Sequence, residues 1–352
     1  MSILFLSRNY KGLGSAGNKA KTDIERIMER MGFKNAGLQR TTHNGTLPHF
    51  FLTLFGVVVS FFRLGKGDVL VLQYPLKKYF SFVCRMAHWH GAKVIVQIHD
   101  LGSFRRKALS VDKEIRRLNR ADYIIAHNES MKQWLIAHMC NAKLGTLGIF
   151  DYLSETRSNN TMEPSTPYYI IYAGSLNPRK NTFLYDLGEY INHFGVKLYG
   201  NGFELSRAKG ADKFQPMGFV KSDELIASAR GHFGLVWDGT SVDACSGDFG
   251  EYLKYNNPHK TSLYIRCGLP VIIWKEAALA PFVRDNGIGI CVGSLRELDQ
   301  RLSDLTPKQY QAMKDNVCRM SQQLAEGHFF KLAVLKALES LGVSQPLDKT
   351  DG

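Results

Sequence analysis

The chain has 352 residues, 44% hydrophobic and 22% charged, a globular composition with length for two domains rather than that of a disordered or fibrous chain. A formal net charge of +13 favours an anionic partner (nucleotide, nucleic acid or acidic membrane surface), yet no block of five or six like charges marks a nucleic-acid arm. The six cysteines stand far apart with no CxxC pair, which argues against a metal ribbon or disulfide scaffold and fits reduced thiols in the cytoplasm.

The N-terminal MSILFLSRNY lacks the basic leader and long apolar core of a signal peptide and reads as a first buried strand, Ile3–Ser7. A glycine-rich turn, Gly12–Gly17, leads into a helix over Asn18–Met31, with Ala20, Ile24, Ile27, Met28 and Met31 on one side. Phe50–Phe62 (FFLTLFGVVVSFF) is too short to span a bilayer. A buried helix of the first domain is the favoured reading. A membrane-facing helix, suggested by the nearby Arg63, Lys66, Lys77 and Lys78, and a protein contact are the alternatives. Strands follow at Val69–Gln73, Lys93–Ile98 and Tyr123–Ala126, alternating with helices at Phe80–Gly91, Ser110–Arg120 and Asn128–Met139.

SETRSNNTMEPSTP, at 154–167, is poor in apolar residues and reads as the linker between domains of residues 1–153 and 168–325. The alternation then restarts. Strands are expected at Tyr168–Tyr172, Val196–Tyr199, Phe233–Trp237, Val271–Trp274 and Ile288–Val292. Helices are expected at Thr182–Phe194, Ser222–Ala229, Leu295–Leu302 and Pro307–Ala325. A last helix, 326–342, packs back on the first domain, and 343–352 is a frayed tail. Such alternation implies α/β architecture, two parallel doubly wound sheets.

Tyr255–Trp274 carries the densest chemistry. Pro258 suits a first helical turn, capped by Asn256 or Asn257, so the helix start gathers free N–H groups, a positive dipole end and the Lys260 ammonium. That is an anion site fit for a diphosphate, although a plain capped helix feeding a strand reads the same way. GSLNPRK, at 174–180, follows a strand. Arg179 there, with Lys180 second, could stabilise the charge on a departing diphosphate, or both could be solvated in a surface turn. Tyr199 and Gly200, in YGNG, also stand at a strand's carboxyl edge, where ligands of open α/β sheets bind. Asp238 ends a further strand and could meet a sugar hydroxyl. The loop 240–254 after it is long enough to close over a ligand. GLGSAG, at 12–17, fits the letters of a dinucleotide fingerprint, but Leu38–Thr42 supplies no acidic partner, which makes a dehydrogenase the weakest reading.

SRNYKGLGSAGNKAKTDI, IHDLGSFR, IIAHNESM, YAGSLNPRK, YGNG, GLVWDG and NNPHKTSLYIRCGLPVI, in this order, resemble the GT-B glycosyltransferases. The closer resemblance is to the bacterial family of β-1,6-galactofuranosyltransferases of O-antigen assembly and the glucosyltransferases of serine-rich-repeat adhesins. It implies two Rossmann-like domains facing a cleft, a UDP-hexose donor held by the second, no metal, no other cofactor, and an inverting transfer to a glycan, lipid-linked or glycoprotein acceptor. In that frame Ser15, Ala16 and Gly17 lie near the diphosphate or the sugar. Gly174, Ser175 and Arg179 face the diphosphate, and Phe219 and Val220 border the base. Asn257 takes ribose or phosphate, and Lys260 and Thr261 take the diphosphate. Asp100, after the strand Lys93–Ile98, is the candidate base for the acceptor hydroxyl, with His99 in reserve; a capping aspartate is the plainer alternative. A nucleic-acid partner is not expected, the inner face of the plasma membrane is a candidate location, and homo-oligomerisation is left open. A nucleotide-sugar epimerase and a non-catalytic nucleotide-binding scaffold are the rival functions.

Overall fold

The computed structural model describes residues 1–10, 16–42, 46–76, 79–104, 109–165 and 167–343, the side chains of 16, 46–49 and 179 excepted. Ser15, the glycines at 12 and 14, the basic pairs at 77–78 and 105–106, and the tail from 344 lie outside the described residues. The chain divides into two compact units. Unit 1 takes residues 1–103, 107–147 and 328–352; unit 2 takes 104–106 and 148–327.

Unit 1 runs β1 (Ile3–Phe5), α1 (Ala16–Arg30), β2 (Lys34–Asn35), α2 (Thr46–Arg63), β3 (Val69–Tyr74), α3 (Phe80–Trp89), β4 (Lys93–Ile98), α4 (Val111–Leu118), β5 (Tyr123–Ala126), α5 (Glu129–Ala137) and β6 (Lys143–Thr146). Its strands pair in parallel in the order β2-β1-β3-β4-β5-β6, with Val71 opposite Ile95 and Val96 opposite Ile124. Every residue of β3, and all of β4 after Lys93, is buried, as the unbroken apolar runs of strands covered on both faces require.

Unit 2 runs β7 (Tyr168–Ala173), α6 (Pro178–Asn181), α7 (Phe183–Leu187), β8 (Phe194–Tyr199), β9 (Phe214–Gly218), α8 (Ser222–Ser228), β10 (Phe233–Val236), α9 (Gly247–Glu251), α10 (His259–Arg266), β11 (Val271–Trp274), α11 (Ala280–Asp285), β12 (Gly289–Val292), α12 (Leu298–Ser303) and α13 (Pro307–Glu326). The order β12-β11-β10-β7-β8-β9, again parallel, reverses direction between β7 and β10. Ligands of open α/β sheets bind outside the strand ends at such a reversal. Gly234 in β10 sets the packing there: a Cβ on it would lie 2.2 Å from the Tyr264 ring. Its absence lets α10 settle on β10, so that the Tyr264 hydroxyl accepts a hydrogen bond from Ala173 N, 2.7 Å away at the end of β7.

α13 starts at a Thr306/Gln309 capping box with Pro307 in its first turn and stops at Gly327, whose φ of 79° ends the helix. α14 (His328–Ser340) follows and packs on β5, β6 and α1 in unit 1. The described residues of 154–167 belong to unit 2. The buried Arg266 guanidinium donates to Ser154 O, Thr156 O, Ser321 O and Ser321 Oγ at 2.8–3.2 Å, and Asn160 Nδ2 donates to Gly231 O at 2.9 Å. Arg266→Met should therefore cost about 2–4 kcal/mol, because buried carbonyls lose a charged donor. A thermal midpoint unchanged from the parent would refute that role.

Three expectations are corrected. Thr182–Phe194 is not one helix: the chain makes short α6 and α7, then enters β8 at Phe194, with the Asn192 and His193 N–H groups held by Asp299 Oδ1 at 2.9 and 2.8 Å. The edge strands β2, β6 and β9 were not expected; they are short and partly exposed, so they lack an apolar run. Phe50–Phe62 is helical but buried on one face only. Thr53, Gly56, Val57 and Ser60 face the unit, while Phe51, Phe55 and Phe62 are 58–79% exposed. No helix among the described residues is long and apolar enough to cross a membrane.

Candidate active site

The carboxyl ends of β7 and β10 bring together Tyr172, Asn181 and Asp238, and α10 adds Lys260. Asp238 Oδ1 lies 3.2 Å from Lys260 Nζ, and Oδ2 lies 3.2 Å from Lys180 Nζ. The Lys260 ammonium also sits 4.1 Å from the centre of the Tyr172 ring, a cation–π contact. The Tyr172 hydroxyl donates to Asn181 Oδ1 at 2.6 Å, and Asn181 Nδ2 donates to Ser175 O. The turn after β7 is thereby tied to the lysine pair.

Two ammonium groups share one carboxylate, so the cluster carries one uncompensated positive charge. The Lys260 side chain is 14% exposed and that of Asp238 10%. Burial alone raises the Asp238 carboxyl, but Lys260 and Lys180 outweigh it and hold the group below the ordinary carboxylate range. Burial pushes the Lys260 ammonium down; Asp238 opposes the drop, Lys180 adds to it, and the result is about 8. A half-desolvated excess cation is costly until an anion joins it, so the cluster has the charge and burial to accept one.

The remaining residues of unit 2 divide between this edge and other duties. Gly174 N donates to Tyr199 O at 2.9 Å and Gly200 N to Gly218 O at 2.8 Å, so the turns after β7, β8 and β9 are stitched side by side. Gly200 has φ 147°, and a Cβ there would lie 1.9 Å from Gly174 O, so no other residue fits. Gly174 and Ser175 are exposed, Tyr199 is buried, and Phe219 (64% exposed) and Val220 continue beyond the edge strand β9. Arg179 lies in α6, with its side chain outside the description.

The α10 start differs from expectation. Pro258 itself occupies the N-cap position, and neither Asn256 nor Asn257 caps the helix. Asn257 is buried and its amide donates to Gly148 O at 2.9 Å. Thr261 is fully buried and its N–H donates to Pro258 O at 3.0 Å. Asp238, expected to meet a sugar hydroxyl, holds both lysines. The 240–254 stretch contains α9, Leu295 N donates to Val242 O at 2.7 Å, and Asp243 pairs with Arg296. Tyr172 and Asn181 were missed, because a strand tyrosine and a lone asparagine carry no sequence signal.

Unit 1 places Asp100, half-buried, just past β4. Its loop is pinned by Glu114, a buried carboxylate that accepts from Gly102 N, Ser103 N and the Tyr74 hydroxyl, each at 2.8 Å. His99 Nε2 donates to Gln73 Oε1 at 2.7 Å, which engages it in positioning. Buried His127 is neutral: desolvation lowers it to about 3, and Nε2 donates to Ile98 O at 3.1 Å. Asn128 caps α5 through Met131 N at 2.9 Å, as its residue type predicts. Ala16 and Gly17 open α1. Among the described residues no cluster of His, Cys, Asp and Glu is arranged to hold a metal ion.

A family model described as glucosyltransferase 3-like, N-terminal domain, matches residues 4–149, and its C-terminal counterpart matches 170–337. The β-1,6-galactofuranosyltransferase WbbI of Escherichia coli (strain K12) is 36% identical over 282 residues, covering 79% of this chain and 81% of the relative. The chain belongs to the glucosyltransferase 3-like family. This glycosyltransferase is also 25% identical to Glucosyltransferase 3 of Streptococcus gordonii, over 91% of its own length and 93% of the relative's. Its fold is GT-B. The lipopolysaccharide outer core galactosyltransferase WaaB superposes with a TM-score of 0.60 at 13% identity, covering 97% of this chain and 100% of that one. An α-glucosyltransferase in complex with UDP gives 0.53 at 13% identity, over 97% and 99%. The two six-stranded parallel sheets and the resemblance of the ordered motifs thus agree on one architecture, and the lysine cluster belongs to a sugar-transferring enzyme.

Proposed function

We propose that the enzyme transfers a hexosyl group, galactofuranose or glucose, from a UDP-sugar to a hydroxyl of a glycan or glycoprotein, without a metal ion and with inversion. The half-buried cluster of two lysines on one carboxylate carries this reading. As the acceptor oxygen bonds to the anomeric carbon, the bond from that carbon to the diphosphate breaks and the electron pair leaves with UDP. Lys260 and Lys180, with Arg179 next to Lys180 in the chain, meet that growing charge; Asp238 holds the lysines in place; Asp100 receives the acceptor's proton. Two ammonium groups supply the countercharge a divalent cation would otherwise bring. The names of the two relatives support the two candidate sugars, and UDP is the nucleotide in complex with the α-glucosyltransferase of like fold.

Ligand-linked thermal stabilisation tests the donor. UDP and its sugars should raise the unfolding midpoint, by about 2.7 kcal/mol of linked free energy at a hundredfold excess over Kd, while GDP and NAD should not. Donor turnover with a panel of acceptors should survive EDTA. Stabilisation by GDP or NAD alone, or complete loss of turnover in EDTA that a divalent cation restores, would overturn this reading.

A further inference from the structure

We propose that α2 and α3 form a docking face for an anionic lipid surface. The two helices lie side by side and parallel: Phe50 and Tyr79 meet at one end (ring centroids 6.2 Å apart) and Phe61 and His90 at the other (4.8 Å). α2 carries its large apolar side chains outward. Phe51, Leu54, Phe55, Val58 and Phe62, spaced i, i+3, i+4, i+7 and i+11, form one exposed apolar stripe, while Thr53, Gly56, Val57 and Ser60 face the unit. α3 adds Phe82 (51% exposed) and Trp89 (87%). Seven of the thirteen exposed large apolar side chains among the described residues are on these two helices, which is a patch rather than scatter. Between them opens a groove of about 600 Å³, lined by Phe61, Phe82, Arg85, Met86, His88 and Trp89.

Charge selects the occupant. Residues 42–99 hold six Lys and Arg and one acidic residue, Asp68. Asp68 is buried and accepts from Ser2 N and Gly65 N. The Asp122 carboxylate near the groove is engaged by His88 Nε2 at 3.0 Å and Val94 N at 2.6 Å. Arg63, Lys66 and Arg85 are exposed. Neither helix contains an acidic residue, so a two-fold contact between copies of this face would set cations against cations. An anionic bilayer surface answers both the apolar stripe and its basic border: the rings enter the interface and the cations meet phosphate headgroups. The proposal is independent of the donor assignment.

Co-sedimentation of the whole enzyme with vesicles tests it. The protein should bind phosphatidylcholine vesicles containing phosphatidylglycerol, bind pure phosphatidylcholine far less, and release as salt rises. Phe51→Ser/Phe55→Ser/Phe62→Ser should lower partitioning by about tenfold or more with the thermal midpoint and UDP-linked stabilisation retained. Arg63→Gln/Lys66→Gln/Arg85→Gln should remove the preference for the anionic lipid. The proposal fails if the parent ignores anionic vesicles or if both variants bind as the parent does. It also fails if the parent is a dimer in sedimentation equilibrium that the serine variant converts to monomer.

Discussion

Lys260→Ala is expected to abolish UDP-linked stabilisation and to lower kcat/KM by about 10²–10³-fold, the usual cost of losing one preorganised donor to a developing negative charge. The substitution leaves Asp238 paired with Lys180 alone, so the cluster passes from one net positive charge to none. Loss of the fold is not the cause: a desolvated ammonium whose burial drives it to about 8 is an electrostatic burden on the empty protein, and its removal should not lower the unligated unfolding midpoint. Asp238→Ala separates the two roles. It leaves two half-buried ammonium groups without their shared carboxylate, lowers Lys260 further, and weakens donor binding at neutral pH although no cation is deleted. The pH profile carries the sign. Below about 8 Lys260 is charged and the site attracts the diphosphate; as pH rises through that value the free enzyme sheds the proton and donor affinity falls. Bound diphosphate raises Lys260 again, so binding near that pH takes up a proton, which calorimetry in buffers of differing ionisation enthalpy reads directly. Donor affinity that is flat across this range, or unaltered UDP binding by Lys260→Ala, would remove the cluster from the mechanism.

Asp100→Asn should separate binding from turnover. A general base contributes about 10²–10⁴-fold, so kcat should fall by that order while UDP-linked stabilisation stays at the parent value. Asparagine keeps the size of the side chain at the end of β4 and removes its ability to take a proton. Glu114→Gln supplies the contrast, since it alters the group that accepts from Gly102 N, Ser103 N and Tyr74 and does not meet substrate in this scheme. It should lower kcat without changing the pH at which the rate falls, whereas loss of a true base changes the profile itself. Turnover by Asp100→Asn at the parent rate would assign the proton to another group.

The fold class was legible in the residues alone. The apolar runs of β3, β4, β10 and β11 and the periodic helices between them follow from local composition, and the linked motifs place their loops at strand ends. Asp238 and Lys260 were legible for the same reason, as polar residues at a strand end and a helix start. Their pairing was not. It depends on α10 settling against β10, where Gly234 leaves room for the Tyr264 ring. The same limit hid Tyr172, Asn181 and Glu114, whose roles exist only as contacts, and the Asn257 bond to Gly148, which forms because the chain before β7 folds back beside it.

By itself the sequence determined the period of the buried strands and of most helices, and the supply of cations, since backbone sterics and side-chain hydrophobicity act over a few residues; the short edge strands β2, β6 and β9 escaped it. Tertiary structure decided which charges share a buried site, and which face of α2 meets water. Both outcomes turn on where desolvation falls, and desolvation is set by neighbours distant in the chain.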